Sequence, residues 1–319
     1  EYARDNPYQR CFMRPFDPAW LRTLPDAVVT PALTSLLVQA LGRLELAEAP
    51  LKLALELLDA RPALAGGMLH SSVLHVLVLS GRLEEARKRM GEGSTPAVES
   101  MGGWLAFLSG ANAQALERFG TALRLMKQAT RKRKVYFERI AGAFHLFALI
   151  RAGDAAHLKE ASEYLEIIAA SRSHGLAALA PAVSRAVQYL QGALDLDSVA
   201  SVDILDGQIR TMLTQQSFYT LFDAMSIFWT YEEEAKGFVP ALEMIRTRAA
   251  GAGLAWIQAE AAELLFRIDP KRKELEAEAA ALRKAGGFVT MVDLITPVEA
   301  WERSLKALAD LGLHGKGGA

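Results

Sequence analysis

The sequence predicts an all-α fold, a right-handed superhelix of antiparallel helix pairs (an α-solenoid). Composition is the first observation: 51% of the 319 residues are hydrophobic and 8% aromatic, with alanine and leucine frequent and β-branched residues sparse, as in packed helices. A recurring helix–turn–helix pattern is the second. Glycine and proline punctuation between the helical stretches is the third.

The clearest repeat unit spans residues 103–128 and reads as two helices joined by a glycine turn. In such a unit the glycine permits a close turn, small residues let the two helices approach, and an aromatic ring fills the gap to the next pair. A second turn of the same type lies 29 residues earlier. The residues that define the repeats are Gly81, Ala86, Trp104, Gly110, Ala115, Phe119 and Ala122. This pattern resembles that of divergent tetratricopeptide repeats.

Proline and threonine predict several helix boundaries. In Thr30-Pro31 and in Thr95-Pro96, threonine is a suitable N-cap and proline a suitable first residue. Pro62 predicts the end of the helix over 48–61, and a wide apolar face predicts another helix from Val135 onward. The solenoid is thus expected over 26–285, with roughly fifteen helices in antiparallel pairs.

Both ends of the chain are expected to differ from the repeats. Residues 1–25 are rich in proline and aromatic residues and predict an irregular segment. Residues 286–312 begin with two glycines, continue with the strand-like FVTMVDLI and close with a last helix. Residues 313–319 read as a flexible linker. We therefore expect this chain to be a piece of a longer protein.

Cysteine usage and hydropathy predict a cytoplasmic protein. Cys11 is the single cysteine, so no intramolecular disulfide can form, which suits a reducing compartment. The N-terminal segment lacks the apolar core of a signal peptide, and apolar runs are interrupted well before the ~20 residues that a membrane span needs. We expect no membrane contact.

The sequence shows no catalytic signature. It lacks the zinc-protease helix motif, a phosphate-binding loop, a nucleophile elbow and paired cysteines. His70 and His75 are five residues apart, about 140° around a helix, so they do not converge on a metal ion. We expect a non-enzymatic protein without a cofactor.

One cluster of charge differs from its surroundings. The chain has a net charge of −1, yet six cations fall within thirteen residues, with Tyr136 and Phe137 alongside. One interpretation is a contact with a phosphate backbone or an acidic partner. The other is a solvated turn between helices, balanced by Glu117 and Glu138. The six cations are Lys127, Arg131, Lys132, Arg133, Lys134 and Arg139.

A second candidate surface is an aromatic-rich helix predicted over 217–230. Its side chains Tyr219, Phe222 and Trp229 could bind a partner. An aromatic set at helical spacing is also typical of a buried core, and the sequence leaves both interpretations open.

Two stretches resemble a known family. The segments TRKRKVYFERIAGAFHLFALIRAGD (130–154) and ITPVEAWERSLKALADLG (295–312) are similar to stretches of long bacterial SNF2-family ATPases (DEAD/DEAH-box-like helicases). There the first stretch belongs to an all-helical region ahead of the motor domains. The resemblance implies an accessory repeat region, with the ATPase motifs lying beyond Ala319.

These observations predict a non-catalytic interaction module of a bacterial SNF2-type ATPase. Its expected partners are a protein, another domain of the same chain, or DNA through the basic cluster. The alternative is an effector-sensing helical-repeat domain of a bacterial transcription regulator, which predicts an enclosed polar pocket. An all-α enzyme is the third possibility.

Overall fold

A computed structural model describes residues 16–44, 47–91, 95–131, 135–137, 140–170 and 236–290. These residues form twelve α-helices and two short 3-10 helices, and no strand occurs among them. The predicted all-α class is confirmed for this part of the chain. The helices are α1 (Pro18–Arg22), α2 (Asp26–Arg43), α3 (Glu48–Ala60), α4 (Met68–Leu79), α5 (Leu83–Met90), α6 (Pro96–Leu108), α7 (Asn112–Thr130), α8 (Ile140–Ala152), α9 (Ala155–Ala170), α10 (Val239–Gly251), α11 (Ala255–Ile268) and α12 (Lys273–Gly286).

Short turns bring successive helices back against each other. The pairs α6–α7, α8–α9, α10–α11 and α11–α12 pack against each other, and α8 also packs against both α6 and α7. The interfaces are filled mainly by alanine, leucine and phenylalanine side chains. Helix packing around one continuous apolar core therefore accounts for the high alanine and leucine content.

The turn between α4 and α5 and the turn between α6 and α7 have the same backbone geometry. Gly81 has φ +73° and Gly110 has φ +79°, in the left-handed region that favours glycine. In the first turn the amide of Arg82 donates to the carbonyl of Leu77 at 2.8 Å. In the second, the amide of Ala111 donates to the carbonyl of Ala106 at 2.9 Å. Both are Schellman caps, which satisfy carbonyls at the helix end.

The helices α6 and α7 approach each other at a glycine. A Cβ added at Gly103 would lie 2.8 Å from the ring of Phe119, so that ring packs on the backbone of α6. Ala115, Phe119 and Ala122 are all completely buried. Small residues and one large ring thus set the spacing between these two helices.

The structure corrects the predicted helix start at Thr30-Pro31. α2 begins at Asp26, and Pro31 lies inside the helix. Pro25 supplies the extended entry conformation (φ −64°, ψ 153°), and the buried Thr30 hydroxyl has no hydrogen-bond partner among the described residues. The earlier start buries Val29 completely against the core. Burial therefore outweighs the local preference of proline for the first turn.

The predicted helix from Val135 is also wrong in its first residues. Residues 135–137 are irregular, and α8 begins at Ile140. Phe137 is nevertheless buried, with its ring edge-on to Phe119 at 5.6 Å. The apolar periodicity at Phe137 thus reports burial in a connecting segment rather than a helical face.

The later helices fold back onto the earlier ones. α11 packs against α4, and Trp256 of α11 meets Trp104 of α6 at 6.4 Å and Phe144 of α8 at 5.9 Å between ring centroids. After α12 the amide of Val289 donates to the carbonyl of Leu108 at 2.8 Å. The chain's own α11 therefore covers the side of α4, α6 and α8 on which Trp104 lies.

Several predicted features lie outside the described residues. These are the N-terminal residues 1–15, the aromatic helix over 217–230 with Tyr219, Phe222 and Trp229, the last helix and the linker-like tail. In the strand-like FVTMVDLI, Phe288–Thr290 are described and are irregular.

Candidate nucleic-acid interface

The C-terminal end of α7 carries exposed cations. Lys127 lies in the last turn, and Arg131 caps the helix. Arg124 is exposed three residues before Lys127, so the two side chains share a face of the helix. We call Arg124, Lys127 and Arg131 the basic stripe. The other predicted cations, Lys132, Arg133, Lys134 and Arg139, lie outside the described residues.

Sequence reasoning missed Arg124. The thirteen-residue window of cations was counted from Lys127, and Arg124 falls just before it. The signal was present as the three-residue spacing between Arg124 and Lys127, which places two side chains on one helical face. Because α7 continues unbroken to Thr130, both residues lie in regular helix and the spacing does place them on the same face.

The basic stripe is not neutralised by any described carboxylate. Arg124 donates a hydrogen bond to the Thr121 hydroxyl at 3.3 Å, and no described acidic group lies within ion-pair distance of Arg124, Lys127 or Arg131. Most other described arginines do have a carboxylate partner. The pairs are Arg22–Glu56, Arg61–Asp26, Arg82–Glu85, Arg87–Glu84, Arg89–Asp59, Arg118–Glu99, Arg246–Glu278, Arg267–Glu263, Arg272–Glu243 and Arg283–Glu263.

Glu117 does not balance the basic stripe, although the sequence had suggested it as a counterion. It lies on α7 seven residues before Arg124, which is about 10 Å along the helix axis. Charges in solvent are largely screened beyond about 8 Å at physiological salt. From residue 118 to residue 137 the chain carries seven lysines and arginines and no acidic residue. Among the described residues, therefore, no carboxylate pairs with the stripe; Glu138, the other counterion suggested by the sequence, lies outside them.

Arg131 adopts a backbone conformation that glycine would adopt more easily. Its φ is +56° and its ψ +18°, in the left-handed region, which costs an L-residue about 1–2 kcal/mol. A cation at a helix C-terminus recovers about 0.3–1 kcal/mol from the helix dipole. Leu44 is the other described non-glycine residue with positive φ, and its side chain is buried. Burial offsets the strain at Leu44, whereas the Arg131 side chain is exposed.

The segment that follows the basic stripe is anchored to α9. The Tyr164 hydroxyl donates to the carbonyl of Phe137 at 2.6 Å. The ring of Tyr136 stacks on that of Tyr164, with 5.2 Å between centroids and 21° between planes. The amide of Arg131 donates to the carbonyl of Lys127 at 2.9 Å. Arg131 on one side and Tyr136 and Phe137 on the other therefore have defined contacts.

The histidines singled out in the sequence have structural surroundings. The Gly66 amide donates to Nδ1 of His70 at 2.8 Å, so Nε2 carries the proton and donates to the Arg89 carbonyl at 2.6 Å. His75 meets the Trp104 ring edge-on at 5.0 Å. In the part of the chain that the structure describes, no three His, Cys, Asp or Glu side chains are grouped to hold a metal ion.

His145 is the most strongly perturbed titratable group in this region. Burial, together with the smaller effect of nearby His157, lowers its pKa to about 3. The Glu160 carboxylate lies 3.9 Å from Nε2 and would favour a charged imidazole, but it is half exposed and so screened by solvent. Burial therefore dominates, and His145 is neutral.

None of the described helices is both long enough and apolar enough to cross a bilayer. Protein-family models, curated proteins and solved structures were compared with the chain, and none of them matches it.

Proposed function

We propose that this chain is a non-catalytic helical-repeat interaction module, an accessory region of a bacterial SNF2-type DNA-dependent ATPase, and that its basic stripe contacts the DNA phosphate backbone. The observation that carries the proposal is that Arg124, Lys127 and Arg131 pair with no described carboxylate, whereas the other described arginines are mostly paired. The resemblance of residues 130–154 and 295–312 supports the link to the ATPase family. The predicted contacts Lys132, Arg133, Lys134 and Arg139 extend the same charge along the sequence.

Charge supports this proposal better than an apolar groove does. The side of α4, α6 and α8 around Trp104 is covered by α11, and Trp256 is almost fully buried there. A peptide or helix of a partner would have to displace a segment that shares the core. The basic stripe, in contrast, is exposed without any rearrangement.

Binding through the basic stripe has a defined physical signature. Each neutralised phosphate releases condensed counterions, so the logarithm of the binding constant falls by about 0.9 per contact for each unit of log salt. The C-terminal end of α7 carries the negative end of the helix dipole, so the attraction comes from side chains rather than from the backbone. We expect sequence-independent binding that weakens steeply with salt.

The test is fluorescence anisotropy with a labelled 20-base-pair duplex from 50 to 200 mM salt. The variant R124Q/K127Q/R131Q removes the basic stripe. A matched control, K52Q/K88Q/K271Q, removes three exposed lysines on α3, α5 and the turn before α12 that make no ion pair with a described residue. The stripe variant should flatten the salt slope by up to about 2.7, three contacts at 0.9 each. The control should retain the original slope.

Two results would contradict the proposal. Absence of binding by the unmodified chain at 50 mM salt would rule out direct DNA contact. An equal loss of affinity in both variants would show that overall charge, and not the basic stripe, governs binding. Circular dichroism of each variant establishes that the helices are retained.

A further inference from the structure

Resting on the proposed function, we infer that Tyr136 is a stacking platform for an unpaired base, so that this surface prefers single-stranded nucleic acid to duplex. The relationship that carries the inference is the position of a pre-oriented, partly exposed tyrosine five residues beyond Arg131.

The ring of Tyr136 is held in orientation by its neighbours. Tyr164 is almost fully buried and is fixed by its hydrogen bond to the Phe137 carbonyl. Tyr136 stacks on that fixed ring, and Phe137, the next residue, is buried against Phe119. Tyr136 therefore loses little conformational freedom when a base packs on it, which favours binding.

Tyr136 is distinguished from the other aromatic residues by exposure and by position. Most described aromatic side chains are buried in the core. Those that are partly exposed are Phe16, Trp20, Tyr136 and Phe266. Phe266 already has the Lys273 ammonium over its ring, 4.7 Å from the ring centroid. Phe16 precedes α1, and Trp20 lies within α1. Of these four residues, Tyr136 is the one that lies within five residues of the basic stripe in sequence.

An aromatic ring that follows a cationic helix end closely in sequence matches the chemistry of single-stranded nucleic acid. Such strands bind through phosphate contacts along the backbone and through bases stacked on aromatic rings, with little dependence on sequence. In a duplex the bases are already stacked and paired, so Tyr136 gains no partner there. The cations therefore contribute to the affinity for both ligands, whereas the Tyr136 ring contributes only to the affinity for the single strand.

The experiment compares four ligands at one salt concentration on the full chain. They are a dT 20-mer, the matching 20-base-pair duplex, an abasic 20-mer that keeps the phosphates but lacks bases, and a free phosphate control. The variants are Y136L, which removes the ring, Y136F, which keeps it, and F266L as a matched control on α11. The unmodified chain should bind the dT 20-mer about tenfold more tightly than the abasic 20-mer.

Y136L should lose that tenfold advantage and keep its affinity for duplex, while Y136F and F266L should match the unmodified chain. Equal affinity of the unmodified chain for the dT and abasic strands would overturn the inference and leave the proposed function intact, provided the basic stripe is still required. Absence of binding to every strand would overturn both. The abasic comparison needs no variant, so the inference stays testable even if Y136L fails to fold.

Discussion

Phe288 lies directly over Gly81, the turn glycine between α4 and α5. A Cβ added at Gly81 would come within 2.9 Å of the Phe288 ring and 3.3 Å of the Ala255 side chain. The next residue, Val289, donates its amide to the Leu108 carbonyl at the end of α6. Successive residues of one segment thus contact the ends of two helix pairs. Gly81, which the sequence predicted as a turn residue, therefore also leaves space for the Phe288 ring of a distant segment.

We expect Gly81→Ala to destabilise the chain more than Gly253→Ala does. Both glycines have positive φ, +73° and +67°, and each follows a helix end closed by the same type of backbone hydrogen bond, so both substitutions carry the left-handed strain of about 1 kcal/mol. A Cβ at Gly253 would meet nothing within 4 Å. The excess loss at Gly81, about 1–3 kcal/mol for overpacking, then measures the contact with Phe288. Urea denaturation gives both free energies of unfolding.

The same experiment has an internal check. In the double variant G81A/F288A the overpacking at Gly81 disappears, so the two losses should not add. Fully additive losses would show that Phe288 and Gly81 are not in contact.

Two glycines in the α6–α7 pair should respond in opposite directions to alanine. Gly103→Ala places a Cβ 2.8 Å from the Phe119 ring and should cost about 1–3 kcal/mol. Gly120→Ala adds a methyl group in open space on an exposed face of α7 and should stabilise the chain by up to about 1 kcal/mol. Thermal or urea unfolding of both variants tests this, and stabilisation by Gly103→Ala would contradict the close approach of the two helices.

We expect Arg131→Gly to raise stability and lower DNA affinity together. Glycine relieves the strain of φ +56°, a gain of about 1 kcal/mol, while one cation of the basic stripe is lost. Leu44→Gly is the matched comparison because Leu44 also has positive φ but is 4% exposed. It should lose stability, since the burial of a leucine side chain is worth about 1.5–3 kcal/mol. A destabilised Arg131→Gly would show that the side chain has a structural role.

The stability of the chain should decrease as pH falls below about 6.5, in part through His145. Its pKa is about 3 in the folded state and near 6.5 when unfolded. The unfolded chain therefore binds the proton first, and stability is fully present above the unfolded value and lost as pH falls toward 3. At pH 5 the loss from this group is about 2 kcal/mol.

The variant H145L isolates this contribution. The groups that face His145 are Glu160 at 3.9 Å, His157, and the rings of Phe119, Phe137 and Tyr164. Burial raises the pKa of Glu160, and this carboxyl remains in the variant. The unfolding free energy of the unmodified chain minus that of H145L should therefore fall by about 2 kcal/mol from pH 7 to pH 5. A constant difference would show that His145 is already solvated.

Local rules predicted a helix start well when the neighbouring packing agreed with them. Thr95-Pro96 behaves as predicted: the Thr95 hydroxyl accepts the Val98 amide at 3.3 Å, and Pro96 opens α6. Thr30-Pro31 is the same dipeptide, yet Pro31 lies inside α2. The difference comes from the residues before it, because extending α2 back to Asp26 buries apolar side chains that the dipeptide cannot report.

The candidate site was predictable in its charge and not in its shape. Lys127 and Arg131 stood out as cations in the sequence, and Arg124 could have been added from its helical spacing. The left-handed backbone conformation of Arg131 could not be predicted from the sequence, because arginine has no preference for that conformation. The stack of Tyr136 on Tyr164 joins residues 28 positions apart and depends on how α9 packs.

The helical class and the sites of the glycine turns can be read from the chain alone, because capping and left-handed turns act over only a few residues. Gly81 and Gly110 were found in this way. Only the tertiary structure showed that α11 covers α4, α6 and α8. It also showed that Phe288 packs on Gly81, which is more than 200 residues away in sequence. Such contacts depend on which apolar surfaces fit each other, and side-chain burial is non-directional, so sequence spacing does not specify them.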